Sequence, residues 1–232
     1  IIYLPNSFMV NDSTRKISDK IFKREEFGLP KNDFIFYCFN SYYKLTPNIF
    51  DIWMRLLKNV KNSVLWLPQG NLVLIKNLKN EASKKHIDPN RLIFAKRMSS
   101  IADHLSRHRM ADLFIDTFPY GAHSTCADAL WAGVPVITLA GESFASKVSA
   151  SLLNAIGLSE LITNTEKEYE DLAVELATNP ARLKEIRKKL ENYRITKPLF
   201  NTKLFVKNIE SAYSAIHERY LLNKKPENIE IK

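Results

Sequence analysis

The stretch from Asp116 to Leu139 most constrains the fold, because it reads as strand end, polar loop, helix and strand. The apolar run 113–115 ends at Asp116, and a Pro-Tyr-Gly turn follows. Gly133-Val-Pro then ends a helix and leads into the apolar run 136–139. Continuous apolar runs of this kind are typical of parallel strands covered on both faces. The polar loop is therefore predicted to lie at the carboxyl end of a parallel sheet, where open α/β folds bind ligands.

The same alternation of strand and helix runs from residue 34 to residue 165. Apolar runs predict strands at 34–39, 63–67, 92–95, 113–115, 136–139 and 160–163, and helical spacing predicts helices near 46–60, 71–86, 99–110 and 143–156. Thr46 before Pro47 is a strong helix-start signal, because a threonine cap and a proline in the first turn are both favoured there. We therefore predict an α/β fold whose core, residues 34–165, is a doubly wound, Rossmann-like parallel sheet.

The remaining segments do not share this alternation. Residues 1–33 show no strand–helix period and are predicted to connect to a segment upstream. Residues 166–222 are predicted to form three C-terminal helices at 166–178, 180–193 and 202–222. The last helix has an apolar stripe that we expect to be buried: Leu204, Phe205, Ile209, Tyr213, Ile216 and Tyr220. Residues 223–232 are a polar tail, expected to fray.

The net charge of +9 suggests an anionic partner, but its placement argues against nucleic acid. Much of the excess lies at residues 184–207, on predicted helices whose other faces are apolar, so a solvated helix face explains it. No zinc-finger spacing or aromatic-glycine RNA motif occurs. No apolar run approaches the roughly 18 residues that cross a bilayer, and the first residues do not resemble a signal peptide. We therefore expect neither a nucleic-acid nor a membrane partner.

Cysteine usage indicates a reducing compartment. Cys38 falls in a predicted strand and Cys126 in a predicted helix, and the chain has no other cysteine. Both are expected to be small, unpaired core residues, which fits a cytoplasmic protein.

The polar loop carries candidate phosphate-binding groups. Ser124 or Thr125 is predicted to cap the helix that follows, and a helix N-terminus binds phosphate through free N–H groups and partial positive charge. This points to a nucleotide diphosphate. Lys44, just after the strand at 34–39, can add a point charge. No Asp-X-Asp motif occurs, so we expect no metal and no cofactor at this site.

Several separated blocks carry a resemblance to one enzyme family: Phe39–Pro47, Asn62–Leu67, Asp116–Leu139, Gly141–Ser146 and Pro198–Lys203. On these blocks, residues 27–220 resemble the C-terminal catalytic lobe of the O-linked N-acetylglucosamine (O-GlcNAc) transferase family. Residues 4–12, within the 1–33 segment, would be the end of the N-terminal lobe or the link between the lobes. They run into this domain without the large intervening domain of animal relatives, which resembles bacterial members. The resemblance implies the C-terminal lobe of a two-lobed GT-B glycosyltransferase, with extra C-terminal helices. It also implies a partner N-terminal lobe and tetratricopeptide repeats upstream in the same chain.

The resemblance implies an inverting, metal-independent transfer of GlcNAc from UDP-GlcNAc to serine or threonine hydroxyls of protein or peptide acceptors. A single lobe is then expected to be inactive alone, because GT-B catalysis needs both sides of the cleft. Two alternatives stay open: a transferase of the same fold that moves another sugar, as protein N-glucosyl- or O-fucosyltransferases do, and a non-enzymatic Rossmann-like interaction module.

The resemblance also implies roles at the phosphate end of the donor. There, Lys44 and the hydroxyls of Ser124 and Thr125 would contact the phosphates, and His123 would face the phosphate–sugar region. Lys44 and His123 are thus the catalytic candidates, because charge that develops on the departing diphosphate must be stabilised. Asp128 would accept from a ribose hydroxyl. From spacing alone, His123 and Asp128 are also compatible with a structural capping pair.

At the other end of the donor, the resemblance assigns His104 to the uracil by ring contact and Arg107 by hydrogen bonding, with the backbone of Met98 and Ser99 beside the base edge. Spacing alone puts His104 and Arg107 on one helix face, which equally fits a surface pair. Two positions near the nucleotide depart from animal enzymes, which have glutamine where Ser41 stands and lysine where Ile101 stands. Plant-type protein O-fucosyltransferases of the same family usually lack a histidine at the position of His123, so the resemblance implies a uridine rather than a guanosine nucleotide.

Overall fold

A computed structural model describes residues 1–232, and its centre is a six-stranded, entirely parallel sheet. The strands of this sheet are β2 (Phe34–Tyr37), β3 (Ser63–Pro68), β4 (Leu92–Ala95), β5 (Leu113–Ile115), β6 (Val136–Leu139) and β7 (Ile162–Thr163), after a short β1 (Ile2–Tyr3) outside it. Their order is β4-β3-β2-β5-β6-β7, so the chain starts in the middle and winds outward in both directions. This is the doubly wound arrangement expected from the sequence.

Helices connect the strands and cover both faces. They are α1 (Pro47–Asn59), α2 (Leu72–Lys84), α3 (Ile101–Arg107), α4 (Ser124–Ala132), α5 (Phe144–Ile156), α6 (Glu166–Thr178), α7 (Pro180–Thr196) and α8 (Thr202–Leu221). At the start of α1, Thr46 caps the helix by accepting from the N–H of Ile49, with Pro47 in the first turn, as predicted. The wide apolar face of α1 is buried against the sheet, with Trp53 only 1% exposed.

The reversal of winding between β2 and β5 creates the switch point of the sheet. Both strands end at the same edge, because all strands of the sheet are parallel. The loops that leave β2 and β5 must therefore separate there and open a crevice. Open α/β sheets bind their ligands in such a crevice.

Burial on both faces of the sheet explains why the strand sequences are continuously apolar. Tyr37, Trp66 and Phe114 on neighbouring strands are completely buried, because helices lie on both sides of the sheet. Cys38 and Cys126 are buried and unpaired, as predicted. Several boundaries differ from the sequence prediction: the strand predicted at 34–39 ends at Tyr37, the helix predicted at 71–86 ends at Lys84, and the helix predicted at 180–193 runs to Thr196. The helix predicted at 99–110 is α3 followed by a 3-10 turn at His108–Met110, and the strand predicted at 160–163 shortens to β7 after a 3-10 turn at Ser159–Leu161.

The terminal segments are held to the body of the domain. Arg24 donates to the Met110 carbonyl (3.0 Å) and to Asp112 Oδ2 (2.7 Å), which anchors the segment before β2. The expected fraying of residues 223–232 is wrong, because Ile229–Glu230 forms β8, which pairs in parallel with β1. Backbone hydrogen bonds between the two chain ends, such as Ile231 N–H to Tyr3 O at 2.9 Å, hold this tail in place.

The last helix also differs from expectation. The apolar stripe on α8 was predicted to be buried, yet Tyr213 is 62% exposed and Tyr220 is 76% exposed. Only Asn208 and Ala212 of α8 are buried. The first half of the stripe, Leu204, Phe205 and Ile209, is half-buried where α8 contacts the turn Pro198–Phe200, and only the second half stays uncovered.

The basic region of α7 is only partly the solvated helix face that the sequence predicts. Lys184 and Lys188 are exposed, but Arg187 and Arg194 are half-buried and donate to Asp112 and to the Trp131 carbonyl, which attaches α7 to the domain. The protein has no helix with the length and apolar character needed to span a membrane.

Candidate active site

A buried network joins the carboxyl ends of β2 and β5. Asp116, completely buried, follows β5 directly. Its Oδ1 accepts from the N–H groups of Thr117 (2.8 Å) and Ala122 (2.7 Å). It also accepts from Asn40 Nδ2 at 3.0 Å, and its Oδ2 accepts from Thr138 Oγ1 at 2.9 Å. Burial raises the pKa of Asp116, and these donors oppose the rise because they stabilise the carboxylate. Asp116 thereby fixes the loop 116–122 over the edge of the sheet.

Lys44 reaches into this loop from the other strand. It is only 8% exposed, and its Nζ donates to the Gly121 carbonyl at 2.8 Å. The ammonium also lies 4.1 Å from the centre of the Tyr120 ring, within cation–π range. Burial lowers the pKa of Lys44, while the negative charge of Asp116 raises it. These contacts rule out a free surface lysine, and they hold a positive charge at the switch point.

The start of α4 lies beside Lys44 but is capped differently from the prediction. Ser124 is the first helical residue, and His123 precedes it as the N-cap without a side-chain cap. The predicted capping by Ser124 or Thr125 is therefore wrong: Thr125 Oγ1 donates instead to Asn40 Oδ1, which ties α4 to the end of β2. No hydrogen bond within the protein uses the N–H groups of residues 124–126. The first turn of α4 thus presents free donors at its positive end.

His123 adds a polar group at the same place. Its ring lies 5.4 Å from that of Tyr120, and its Nε2 is buried without a hydrogen-bond partner. Burial and the charge of Lys44 both lower the pKa of His123, so the neutral imidazole is favoured at neutral pH. A buried ring nitrogen without a partner beside a lysine and free amides is the arrangement expected where a polar ligand completes the hydrogen bonding.

A second group of side chains lies behind Phe39, the residue next to Asn40. The guanidinium of Arg107 lies 4.7 Å from the centre of the Phe39 ring, and it donates to the Lys96 carbonyl at 2.5 Å. The His104 ring stacks on the same Phe39 ring, with the two ring centres 6.0 Å apart and the planes 24° apart. Burial lowers the pKa of Arg107 to about 10. Because Arg107 is only 5% exposed, the alternative of a surface pair with His104 is excluded.

Asp128 connects the two groups. It forms an ion pair with Arg15, and its negative charge raises the pKa of His104 against the lowering effects of burial and of Arg107. Asp128 is thus held by Arg15 and is near enough to His104 to influence its charge, and its role at a ribose stays a prediction. The other predicted residues, Ser41, Met98, Ser99 and Ser124, make no side-chain hydrogen bond, and all except the half-buried Met98 are exposed. Their roles stay predictions.

Three residues of the site were not identified from the sequence. Asn40 and Asp116 are each among the first polar residues after an apolar strand, and that position was the available signal. Arg15 gave no signal, because its segment has no periodicity. No three or more His, Cys, Asp or Glu side chains are grouped so that they could hold a metal ion.

The buried histidine behind the site makes stability depend on pH. His108 is completely buried, and burial together with the charges of His104 and Arg107 holds its pKa well below the usual value. The unfolded chain binds a proton at this histidine below about pH 6.5 and the folded chain does not, so stability falls as pH falls. We expect His108 alone to cost about 1.4 kcal/mol per pH unit below that value.

Thermal unfolding of the parent and of His108→Gln between about pH 7.5 and 5.5 checks this. The glutamine variant should lose Tm less steeply with acidification, because the contribution of His108 has been removed. Some decrease should remain, because His104 and His123 still contribute. Equal slopes for the two proteins would contradict a neutral buried His108.

The chain is similar to curated proteins of plants and animals. It is 36% identical over 237 residues to the Arabidopsis thaliana protein named probable UDP-N-acetylglucosamine-peptide N-acetylglucosaminyltransferase SEC, covering 100% of this chain and 24% of that protein. It is 32% identical over 197 residues to the UDP-N-acetylglucosamine-peptide N-acetylglucosaminyltransferase of Caenorhabditis elegans, covering 85% of this chain and 17% of that protein. The chain thus spans a quarter or less of the length of these relatives.

Solved structures share the fold. A mutant of Thermobaculum terrenum O-GlcNAc transferase matches with a TM-score of 0.74 and 29% identity, over 78% of this chain and 35% of that one. WaaG, a glycosyltransferase involved in lipopolysaccharide biosynthesis, matches with a TM-score of 0.62 and 16% identity, over 88% of this chain and 55% of that one. The predicted fold of a GT-B lobe is confirmed. The sequence model of Glycosyl transferase family 41 matches residues 10–209, and the chain belongs to this family.

Proposed function

We propose that this chain is the donor-binding part of an inverting protein O-GlcNAc transferase. Its donor is UDP-GlcNAc, and its acceptors are serine or threonine hydroxyls of proteins or peptides. One observation carries the proposal: Lys44, the free amides of α4 and the unpartnered Nε2 of His123 converge at the switch point of the sheet. The names of the Arabidopsis and Caenorhabditis elegans relatives support the same donor and acceptor class.

The proposed chemistry follows from charge. As the sugar carbon is attacked, negative charge develops on the departing diphosphate, and groups that bind it more strongly in the transition state accelerate transfer. Lys44 supplies a held positive charge and the first turn of α4 supplies directed donors. These groups serve where other transferases use a metal ion, so we propose metal-free donor binding. His123, as a neutral imidazole, contacts the phosphate–sugar junction.

The uridine occupies the second group of side chains. Arg107 and His104 contact the uracil, Asp128 accepts from the ribose, and the backbone at Met98 and Ser99 borders the base. Phe39 and Asn40 are consecutive residues that belong to the base group and the phosphate group respectively, which keeps the two subsites next to each other. The base subsite and the phosphate subsite match the two ends of a nucleoside diphosphate.

The residues of the candidate site act on the donor, and other groups must activate the acceptor hydroxyl. Asp116 is surrounded by hydrogen-bond donors, and Asp128 is paired with Arg15, so neither is free to accept a proton from an acceptor hydroxyl. We propose that an N-terminal lobe, with tetratricopeptide repeats, supplies the opposite side of the cleft. A reducing, cytoplasmic setting fits the two free cysteines.

The proposal predicts that the chain binds UDP equally well with EDTA and with magnesium. Titration calorimetry of the 232-residue chain with UDP under both conditions measures this, with GDP as a comparison nucleotide. UDP should bind more tightly than GDP, because the contacts proposed for Arg107 and His104 are to a uracil. Binding that requires a divalent ion would contradict the metal-free site, and no UDP binding under either condition would contradict the donor-binding function.

A further inference from the structure

Arg15 belongs to the segment before the sheet, yet its side chain reaches α4 beside the donor site. Its guanidinium forms an ion pair with Asp128, in which Nη1 donates to Oδ1. The side chain makes no other hydrogen bond, and its Nε and Nη2 atoms are buried without a partner. Asp128 is therefore the only acceptor that holds this half-buried cation in place. Arg15 itself has no role in the proposed function.

The backbone around Arg15 is attached to the same part of the domain. Nε1 of Trp131, three residues after Asp128 on α4, donates to the Arg15 carbonyl at 3.1 Å. Three residues after Arg15, the N–H of Ser18 donates to the carbonyl of Ala102 in the first turn of α3, also at 3.1 Å. α4 therefore holds both the backbone and the side chain of Arg15. This differs from an ordinary surface ion pair, whose long side chains are mobile and contribute little.

The two oxygens of Asp128 have different surroundings. Oδ1 accepts from Arg15, whereas Oδ2 makes no hydrogen bond and is not enclosed by the protein, so a ligand can reach it. Side chains of an α-helix lean toward its N-terminus, and Asp128 lies four residues after Ser124, the first residue of α4. The Asp128 carboxylate therefore lies on the same face of α4 as Ser124, next to the free amides of the first turn. With Oδ1 held, Oδ2 is the one acceptor that this carboxylate offers to a ligand.

We propose that Arg15 is a positioning residue that holds one oxygen of Asp128, so that the other oxygen accepts a hydrogen bond from a single hydroxyl of the donor ribose. The inference rests on the proposed function, since it places a ribose at Asp128. An acceptor that is oriented before the ligand arrives contributes more to binding, because less conformational freedom is lost on association. Since Arg15 occupies Oδ1, the site should distinguish the two ribose hydroxyls: removal of one should weaken binding, and removal of the other should not.

Titration calorimetry of the 232-residue chain with UDP, 2′-deoxy-UDP and 3′-deoxy-UDP tests this. In the parent, one deoxy analogue should bind about ten- to hundredfold more weakly than UDP, the effect of losing one hydrogen bond to a charged group, and the other should bind within about threefold of UDP. Arg15→Met keeps most of the side-chain volume and removes every donor, so the Asp128 carboxylate can rotate. The larger of the two penalties should then fall by about threefold or more.

Arg15→Lys covers the case in which the methionine variant does not fold. It keeps a positive charge beside Asp128 but replaces the planar guanidinium with an ammonium on a flexible stem. Thermal unfolding should therefore show a Tm closer to that of the parent than the Tm of Arg15→Met. The penalty for the missing hydroxyl should nevertheless be smaller than in the parent, because an ammonium does not fix the plane of the carboxylate.

Arg24→Met is the matched control. Arg24 lies in the same segment before the sheet, and its ion pair with Asp112 is buried to a similar extent, with side chains 21% and 17% exposed against 26% and 19% for Arg15 and Asp128. Asp112 directly precedes β5, so the control pair lies at the sheet edge opposite the donor site. This variant should lose stability but keep the parent's ratios of UDP to deoxy-UDP affinity.

Two kinds of failure can be told apart. A parent that binds UDP and both deoxy analogues equally, or Arg15 variants that bind all three nucleotides with the parent's ratios, would overturn the inference and leave the proposed function intact. A parent that binds none of the three nucleotides would refute the proposed function, and with it the ribose at Asp128.

Discussion

Replacing Asp116 with alanine should lower the free energy of unfolding by about 3–5 kcal/mol, because it removes the shared acceptor of a buried network. The side chain of Asn40 and the N–H groups of Thr117 and Ala122 all donate to this carboxylate. Without it, these donors lose their partner inside the protein, where water reaches them poorly. Urea unfolding of parent and variant, followed by circular dichroism, measures the difference.

Two variants separate the network from a simple loss of charge. Asp116→Asn keeps the shape but replaces one acceptor oxygen with a donor, so it should also destabilise the protein, by about 1–3 kcal/mol. Asp51→Ala removes an acidic group from a surface pair with Lys85, and it should change stability by less than about 1 kcal/mol. If Asp116→Ala were as mild as Asp51→Ala, the network would not be what holds the 116–122 loop.

Local sequence signals predicted the elements well. The apolar strands and the Thr46-Pro47 start of α1 depend on residues close in sequence, and the structure has them where they were predicted. The 3-10 turn at His108–Met110 was missed, because a last helical turn that tightens has the same apolar spacing as an α-helix. Element type was therefore predictable, and element ends were less so.

Only those parts of the site that lie within one segment of the sequence were predictable. The start of α4 beside His123 and the position of Lys44 after a strand are both visible in the sequence. The predicted capping by Thr125 was wrong because its hydroxyl donates to Asn40, which follows another strand, and its predicted contact with the phosphates stays a prediction. The contact with Asn40 exists only because β2 and β5 are neighbours, and strand order is a property of the whole sheet. The uncovered face of α8 has the same cause, since periodicity predicts an apolar face but not what packs against it.

Lys44→Ala should weaken UDP binding about ten- to hundredfold, the effect of losing one charged hydrogen bond, which is worth about 1.5–3 kcal/mol. In a protein with both lobes it should also lower kcat, because its attraction to the diphosphate grows as the leaving group takes up charge. Arg107→Ala should weaken UDP binding with a smaller change in kcat, since the base changes little during transfer. Calorimetry with UDP and initial rates with UDP-GlcNAc measure the two effects.

The burial of Lys44 makes matched variants necessary. Lys44→Met keeps most of the side-chain volume beside Tyr120 while removing the charge, so it should lose as much UDP affinity as Lys44→Ala and retain more stability. Lys61→Ala removes the same charge from an exposed residue just before β3, at the opposite edge of the sheet, and should leave UDP affinity unchanged. If Lys44→Met bound UDP within about twofold of the parent, a loss below about 0.5 kcal/mol, the positive charge would have no role in binding the diphosphate.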